Sequence, residues 1–374
     1  HSWINKKVLP FWEQHAIDYD NGGFYELINH ELKPIETVRR TRLIARQIYS
    51  FTEGENMGWA GPVDQIINHG LSFLEQKKMI FESGKLAIAI DTRDNSINTN
   101  FDLYDYSFFL FALAQISTKK LFTDKAIFLA KNCLSYLDRN WRHSRIGFIN
   151  DSREKYQLRS NPHMHLLEAC LQWELKSEYN SYMFSKISDE IVELATTKLI
   201  DQDKGFLYEN FNQDWSIPDN KNLRIIEPGH QFEWGFLLLK WSLLRNNKVI
   251  RDFAERLIFI GENYGVDKDR NVVINSLDYY LNSNDLQAKI WPQCERVKAW
   301  NQIVMNKDKT KIDPNQSFDN LRKSLKTLYK FIGDFNSGLW EERMNVAGEF
   351  NELNTKASSL YHLIFCISGL EKVN

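Results

Sequence analysis

The chain has 374 residues, 43% of them hydrophobic and 26% charged, with a formal net charge of -2. That length can bury a large core, and the composition excludes disordered, fibrous and membrane-embedded classes. The near-neutral charge gives no footprint for a nucleic-acid partner, and the Arg39-Arg40-Thr41-Arg42 cluster is too small an island to supply one.

The start, His-Ser-Trp-Ile-Asn-Lys-Lys, has no long apolar stretch behind its lysines, so it is not read as a signal peptide. It also lacks an initiator Met, which implies a few missing residues. No apolar run reaches membrane-spanning length, and Lys240 interrupts Phe236-Leu-Leu-Leu239. Cys133, Cys170, Cys294 and Cys366 show no CxxC spacing and read as packed thiols. The expected location is the cytoplasm.

Apolar patterns with a 3.6-residue period dominate the chain. Amphipathic, charged helices are expected at Ile4–Gln14, Val63–Lys77, Thr123–Trp141, Tyr182–Leu199, Val249–Glu262 and Phe318–Ile332. Between them, helices apolar on nearly all sides begin near Arg39, Leu103, Asn161, Pro228, Pro292 and Ala357, at steps of 64, 58, 67, 64 and 65 residues. The expectation is one all-α domain over 1–374: an (α/α)6 toroid of six helical hairpins, with surface helices clothing buried ones. The last helix is as apolar as the middle ones, which favours a closed ring over an open solenoid. Gly22-Gly23-Phe24-Tyr25, Gly147-Phe148-Ile149-Asn150, Gly205-Phe206-Leu207-Tyr208 and Gly338-Leu339-Trp340-Glu341 predict small β-hairpins on one rim. Asn306–Phe318 reads as an exposed loop.

Chemistry concentrates where buried helices begin. Glu227-Pro-Gly-His230-Gln-Phe-Glu233-Trp234 and Trp291-Pro-Gln-Cys-Glu295 are polar runs in apolar surroundings. His165 with Glu168, and His230 with Glu233, are three apart and share a helix face. His165, His230 and His362 fall in the first two turns of three different buried helices, and a ring with alternating helix direction would bring those turns to one mouth. Asn161, Arg46 and Trp291 join the same inventory. Rigid aromatic faces beside many short polar groups suit a sugar. His163 and His165 are two apart and point away from each other on a helix, which argues against a metal site. A glycoside hydrolase using Glu233 and Glu295 stays open. Imidazole, with a pKa near neutrality, points instead to proton transfer beside a carbonyl.

Five motifs in order resemble the N-acylglucosamine 2-epimerase superfamily: Ala45-Arg46-Gln47-Ile-Tyr49, Asn161-x-x-Met164-His165-x-x-Glu168-Ala, Pro-Gly-His230-x-x-Glu233-Trp, Trp291-Pro-x-x-Glu295 and Tyr361-His362. The resemblance spans nearly the whole chain and implies a cofactor-independent, metal-free sugar enzyme working through a cis-enediolate. It implies His362 and His230 as acid/base groups and Arg46 as the enediolate stabiliser. Asn161, Met164, His165, Glu168, Glu233, Trp234, Trp291 and Glu295 would bind substrate. The Ala357-Ser-Ser-Leu-Tyr361-His362 form is similar to the bacterial mannose isomerase-like branch, so mannose/fructose interconversion is the expected reaction. The alternatives are 2-epimerisation of N-acetylglucosamine/N-acetylmannosamine or cellobiose type, glycoside hydrolysis, and a non-catalytic carbohydrate-binding toroid. Arg159, Arg224 and Arg42 are candidate anchors for a phosphate or sulfonate. The expected partner is a mono- or disaccharide, with no nucleic acid or membrane, and the assembly a monomer or homodimer.

Overall fold

A computed structural model describes residues 1–153, 157–176, 181–351 and 354–370. Among the described residues there are twelve α-helices: α1 (Leu9–Ala16), α2 (Thr41–Asn56), α3 (Val63–Gln76), α4 (Leu103–Ile116), α5 (Thr123–Asn140), α6 (Ser160–Lys176), α7 (Ser181–Leu194), α8 (Pro228–Leu244), α9 (Lys248–Gly265), α10 (Ile290–Met305), α11 (Pro314–Ile332) and α12 (Ala357–Leu370). The even-numbered, apolar helices start within two residues of the expected positions, and each is preceded by its amphipathic partner. The class is all-α, an (α/α)6 series of helical hairpins with short peripheral strands.

Two expectations need correction: Gly338-Leu339-Trp340-Glu341 carries no strand or bridge, and one predicted loop is partly helical. The segment Asn306–Phe318 is not loop throughout, because α11 already begins at Pro314. The Asp313 side chain accepts the Gln316 amide N–H, and proline at the first helical position leaves no amide stranded.

By their contacts the residues divide into two compact units: residues 1–191, 336–338 and 354–364, and residues 192–335, 339–353 and 365–374. In the first unit α2 packs between α3 and α4, and α4 packs between α5 and α6. The opening turns of α12 join this row, where the Gln47 side chain donates to the Ala357 carbonyl at 2.9 Å. In the second unit α8 packs between α9 and α10, and α10 also against α11. There Asn301 donates to the Gly369 carbonyl at 3.0 Å.

Short paired segments fix where the buried helices begin. Arg39-Arg40 pairs with Ala89-Ile90 before α2, and Asp102 bridges Asp151 before α4. Ile226 bridges Leu277 before α8, Ala288-Lys289 pairs with Arg343-Met344 before α10, and Asn354–Lys356 pairs with Leu27–Asn29 before α12. Gly turns close the reversals that follow the outer helices. Gly205 sits at φ 80°, a left-handed conformation that favours glycine, and a Cβ there would also push the Arg256 side chain aside.

The fourth residue of four buried helices locks onto the hairpin preceding it. In the first unit the Tyr106 hydroxyl accepts the Leu86 amide at 2.8 Å, and His163 Nε2 accepts the Phe148 amide at 3.0 Å. In the second, Gln231 exchanges two hydrogen bonds with Leu207 at 2.9 Å each. Gln293 does the same with Val273 at 2.9 and 3.0 Å. These interior polar groups satisfy backbone that would otherwise be buried unpaired. His163 therefore has an architectural role. Burial pulls its pKa down to about 3, so the ring is neutral, and with Nε2 accepting, its proton sits on Nδ1 toward the Arg159 carbonyl.

Candidate active site

The residues singled out from the motifs share a register. The sixth residue of each buried helix is Arg46, Phe108, His165, Glu233, Glu295 or His362 in chain order. The second residues include Arg42, Tyr104, Asn161 and Trp291, and the ninth are Tyr49, Phe111, Glu168, Phe236, Lys298 and Phe365. Positions 2, 6 and 9 lie on one face of a helix, one turn apart. Paired segments that fix each helix start therefore fix the depth of each of these side chains.

In the first unit Arg46, Phe108 and His165 form a stack. The Arg46 guanidinium lies 3.9 Å from the Phe108 ring centroid and donates from Nη2 to the Tyr104 hydroxyl at 2.5 Å. His165 packs on Phe108 at 4.4 Å and meets Tyr104 edge-on at 5.0 Å. Its Nδ1 lies 3.1 Å from Glu168 Oε2, and the Tyr361 hydroxyl donates to that same oxygen. Burial pulls the His165 pKa down, Glu168 resists, and Arg46 and His362 add to the fall, leaving it at about 4. The ring is neutral, so with Glu168 accepting, the proton is on Nδ1 and Nε2 carries a lone pair. His362 is buried beside Tyr361, at 4.7 Å between rings. Met164 is fully buried and Asn161 half-buried at the start of α6.

In the second unit His230 has a different environment. Its Nδ1 donates to Glu209 Oε2 at 2.9 Å, with Glu227 Oε2 at 3.7 Å. Burial opposes a charge on the ring. The Glu209 and Glu227 carboxylates outweigh it, helped by Glu233, and push the pKa up to about 10. His230 is an imidazolium, protonated on both ring nitrogens. The Trp291 ring lies on it at 5.0 Å, tilted 37°. The Pro-Gly-His run now has a physical reading. Pro228 opens α8, and Gly229 leaves room for Trp291, whose ring a Cβ at that position would meet at 2.6 Å. Glu233, Trp234 and Glu295 are buried, Trp234 completely. Lys298 lies 2.7 Å from Glu295 Oε2.

Donor atoms of Glu209, Glu227 and His230 lie within 4.8 Å of one another, a set that could hold a metal ion. The carboxylates here are engaged in holding a charged imidazole. The three arginines considered as anion anchors are engaged as well. Arg42 pairs with Asp105 at 3.0 Å, and Arg159 approaches Asp151 at 3.8 Å. Arg224 donates to the Pro218 carbonyl at 2.6 Å and lies over Tyr279. The four cysteines are buried free thiols, and burial raises the pKa of Cys294. Glu209, Tyr104, Phe108 and Lys298 were not foreseen. The shared register would have found the last three, whereas Glu209 lies in a rim segment outside it.

In the first unit a neutral imidazole oriented by a carboxylate lies beside a buried guanidinium, and in the second a charged imidazole is held by carboxylates; both are groups suited to proton transfer. The N-acylglucosamine 2-epimerase (GlcNAc 2-epimerase) family model matches residues 22–366. The chain is 32% identical over 373 residues, covering 99% of itself and 95% of the relative, to a mannose-6-phosphate isomerase of Rhizobium meliloti (strain 1021). Its fold is that of the cellobiose 2-epimerase from Bacillus thermoamylovorans B4167, with a TM-score of 0.84 at 18% identity, over 100% of this chain and 98% of that one. A D-mannose isomerase structure gives 0.85 at 16% identity, over 98% and 96%. The chain belongs to the N-acylglucosamine 2-epimerase family. It is a sugar isomerase or epimerase. Among the described residues no helix is long and apolar enough to cross a membrane.

Proposed function

We propose that the protein is a sugar 2-epimerase acting on an unphosphorylated aldose through a cis-enediolate. The observation that carries this reading is the imidazolium of His230. Epimerisation removes a proton from one face of C2 and returns one to the other, so it needs a loaded donor besides a base. His230 is that donor, held charged by Glu209 and Glu227. In the open-chain sugar, His362 acts as the base and takes the C2 proton while the C1 carbonyl oxygen gains negative charge, which Arg46 stabilises. His230 then gives its Nε2 proton to C2 from the opposite face. His362 ends protonated and His230 neutral, and exchange with solvent restores both. Glu233 and Glu295 hold hydroxyls or imidazoles, and Trp291 offers the sugar an aromatic face. The three engaged arginines support a neutral substrate over a phosphorylated one.

The name of the family and those of two similar structures, both cellobiose 2-epimerases, favour 2-epimerisation over mannose/fructose isomerisation. Isomerisation is the second reading, favoured by the 32%-identical relative named mannose-6-phosphate isomerase. In that case one base would carry the proton from C2 to C1.

The test is proton NMR in heavy water with D-mannose, D-glucose, N-acetylmannosamine, cellobiose and mannose-6-phosphate. Deuterium at C2 of an aldose and of its epimer is expected. A ketose labelled at C1 would establish the second reading instead. No label in any sugar would overturn both, and preference for mannose-6-phosphate would overturn the neutral-substrate assignment.

A further inference from the structure

The ninth residues of the buried helices are aromatic in four cases, Tyr49, Phe111, Phe236 and Phe365, and charged in two. The charged pair are Glu168 and Lys298. Each meets the sixth residue of its own helix: Glu168 takes the N–H of His165 at 3.1 Å, and Lys298 Nζ lies 2.7 Å from Glu295 Oε2. This is one device with its charges reversed, an acid one turn below a base in α6 and a base one turn below an acid in α10. Lysine there is costly. Its side chain is 2% exposed and that of Glu295 is 0% exposed. A buried ammonium survives only with strong partners. Besides Glu295 it has the faces of Phe365 and Phe236, at 4.1 and 4.9 Å from their centroids. A third aromatic at this position would give a simpler core.

We propose that Lys298 is a positioning residue for the reaction, holding Glu295 ionised and fixing the plane of its carboxylate. Burial raises the pKa of a carboxyl, and at Asp105 it does so to about 7 even with Arg42 beside it, so a carboxyl as buried as Glu295 needs a close counter-charge to stay ionised. With Lys298 in place, Glu295 stays a pure acceptor for a sugar hydroxyl or an imidazole N–H. Lys298 itself touches no reacting atom and acts through Glu295. The inference rests on the function proposed above.

The experiment measures the pH dependence of kcat/KM for D-mannose, read as C2 deuterium exchange, in wild type, Lys298→Met, Lys298→Arg, Glu295→Gln and the Lys298→Met/Glu295→Gln double variant. Lys298→Met is expected to lose at least about tenfold at neutral pH and to move the acid limb upward, because its carboxyl protonates earlier. Lys298→Arg, which keeps the charge, should hold the limb near wild type. The double variant should be no slower than Glu295→Gln alone. An acid limb unmoved in Lys298→Met, with a lowered melting temperature only, would leave Lys298 a structural residue and overturn the proposal. If Lys298→Met does not fold, Lys298→Gln takes its place: an acid limb displaced upward supports the proposal and an unmoved one overturns it. Absence of exchange by wild type with every sugar tested would instead overturn the underlying reaction and this role with it.

Discussion

His165 in the first unit and His230 in the second are nearly matched by simple description. Both sit in the opening turns of a buried helix, 3% and 5% exposed, with Nδ1 on a carboxylate oxygen at 3.1 and 2.9 Å. Yet one falls to about 4 and the other rises to about 10. The difference lies in the surroundings. The carboxylate that His165 meets, Glu168, is shared with the Tyr361 hydroxyl, and Arg46 and His362 act against a charge on the ring. His230 has Glu209 and Glu227 together, with Glu233 adding to them. A hydrogen bond to a carboxylate orients an imidazole in either case. The number of anions and cations around it decides its charge.

The comparison predicts unequal costs for removing imidazoles. His230→Gln and His362→Gln should each slow C2 exchange by about 10²–10⁴, the usual worth of a general acid or base. His165→Gln should cost much less, because a neutral ring fixed as an acceptor serves binding and should appear mainly in KM. Initial rates by NMR across a range of sugar concentrations separate the two. A loss of kcat in His165→Gln as large as in His230→Gln would abolish the division of labour.

The next prediction acts on the charge itself. Glu209→Gln keeps the shape beside His230 but removes the nearer anion, so the His230 pKa should fall well below about 10. Imidazole 15N shifts report this directly. The change also has a stability signature. The raised pKa means that the folded state holds the proton more tightly than the unfolded chain. The gain is therefore complete below the unfolded value near 6.5 and is lost as pH rises toward 10. His165 runs the other way: its contribution is complete above about 6.5 and is lost as pH falls toward 4. Urea midpoints at pH 6 and pH 9.5 should differ less in Glu209→Gln than in wild type. An unchanged 15N profile would mean that Glu227 alone holds the charge.

The same contrast shows what a single sequence can disclose. Helix starts were legible because proline, glycine and a change of hydrophobic period mark them, and the buried helices lie within two residues of expectation. His165–Glu168 was legible too, since both partners lie on one helix three residues apart. His230 was visible, but the Glu209 that charges it was not. Glu209 lies 21 residues upstream of His230, outside the helices, and helical spacing carries no information across the irregular segment between them. Lys298 was passed over for another reason: a lysine three residues after a glutamate usually marks a solvated helix face. Arg42, Arg159 and Arg224 looked available because sequence shows a cation without showing its partner.

The smallest effects belong to the residues that lock each buried helix to its hairpin, and the two units differ here as well. Tyr106 offers the Leu86 amide one hydroxyl oxygen, while Gln293 gives Val273 both an acceptor and a donor and also donates to the Lys289 carbonyl at 2.9 Å. Tyr106→Phe should cost about 1 kcal/mol and Gln293→Leu about 1–3 kcal/mol, because the second strands more buried backbone. Neither side chain belongs to the acid–base set, so urea unfolding should register the loss while the pH profile of C2 exchange keeps its shape. Gln293 lies only two residues before Glu295. A shifted acid limb in Gln293→Leu would therefore show that the lock on α10 also sets the depth of Glu295. In that event the architecture and the chemistry of the second unit would be coupled through one helix start, and Tyr106→Phe would be the control that keeps the two effects apart.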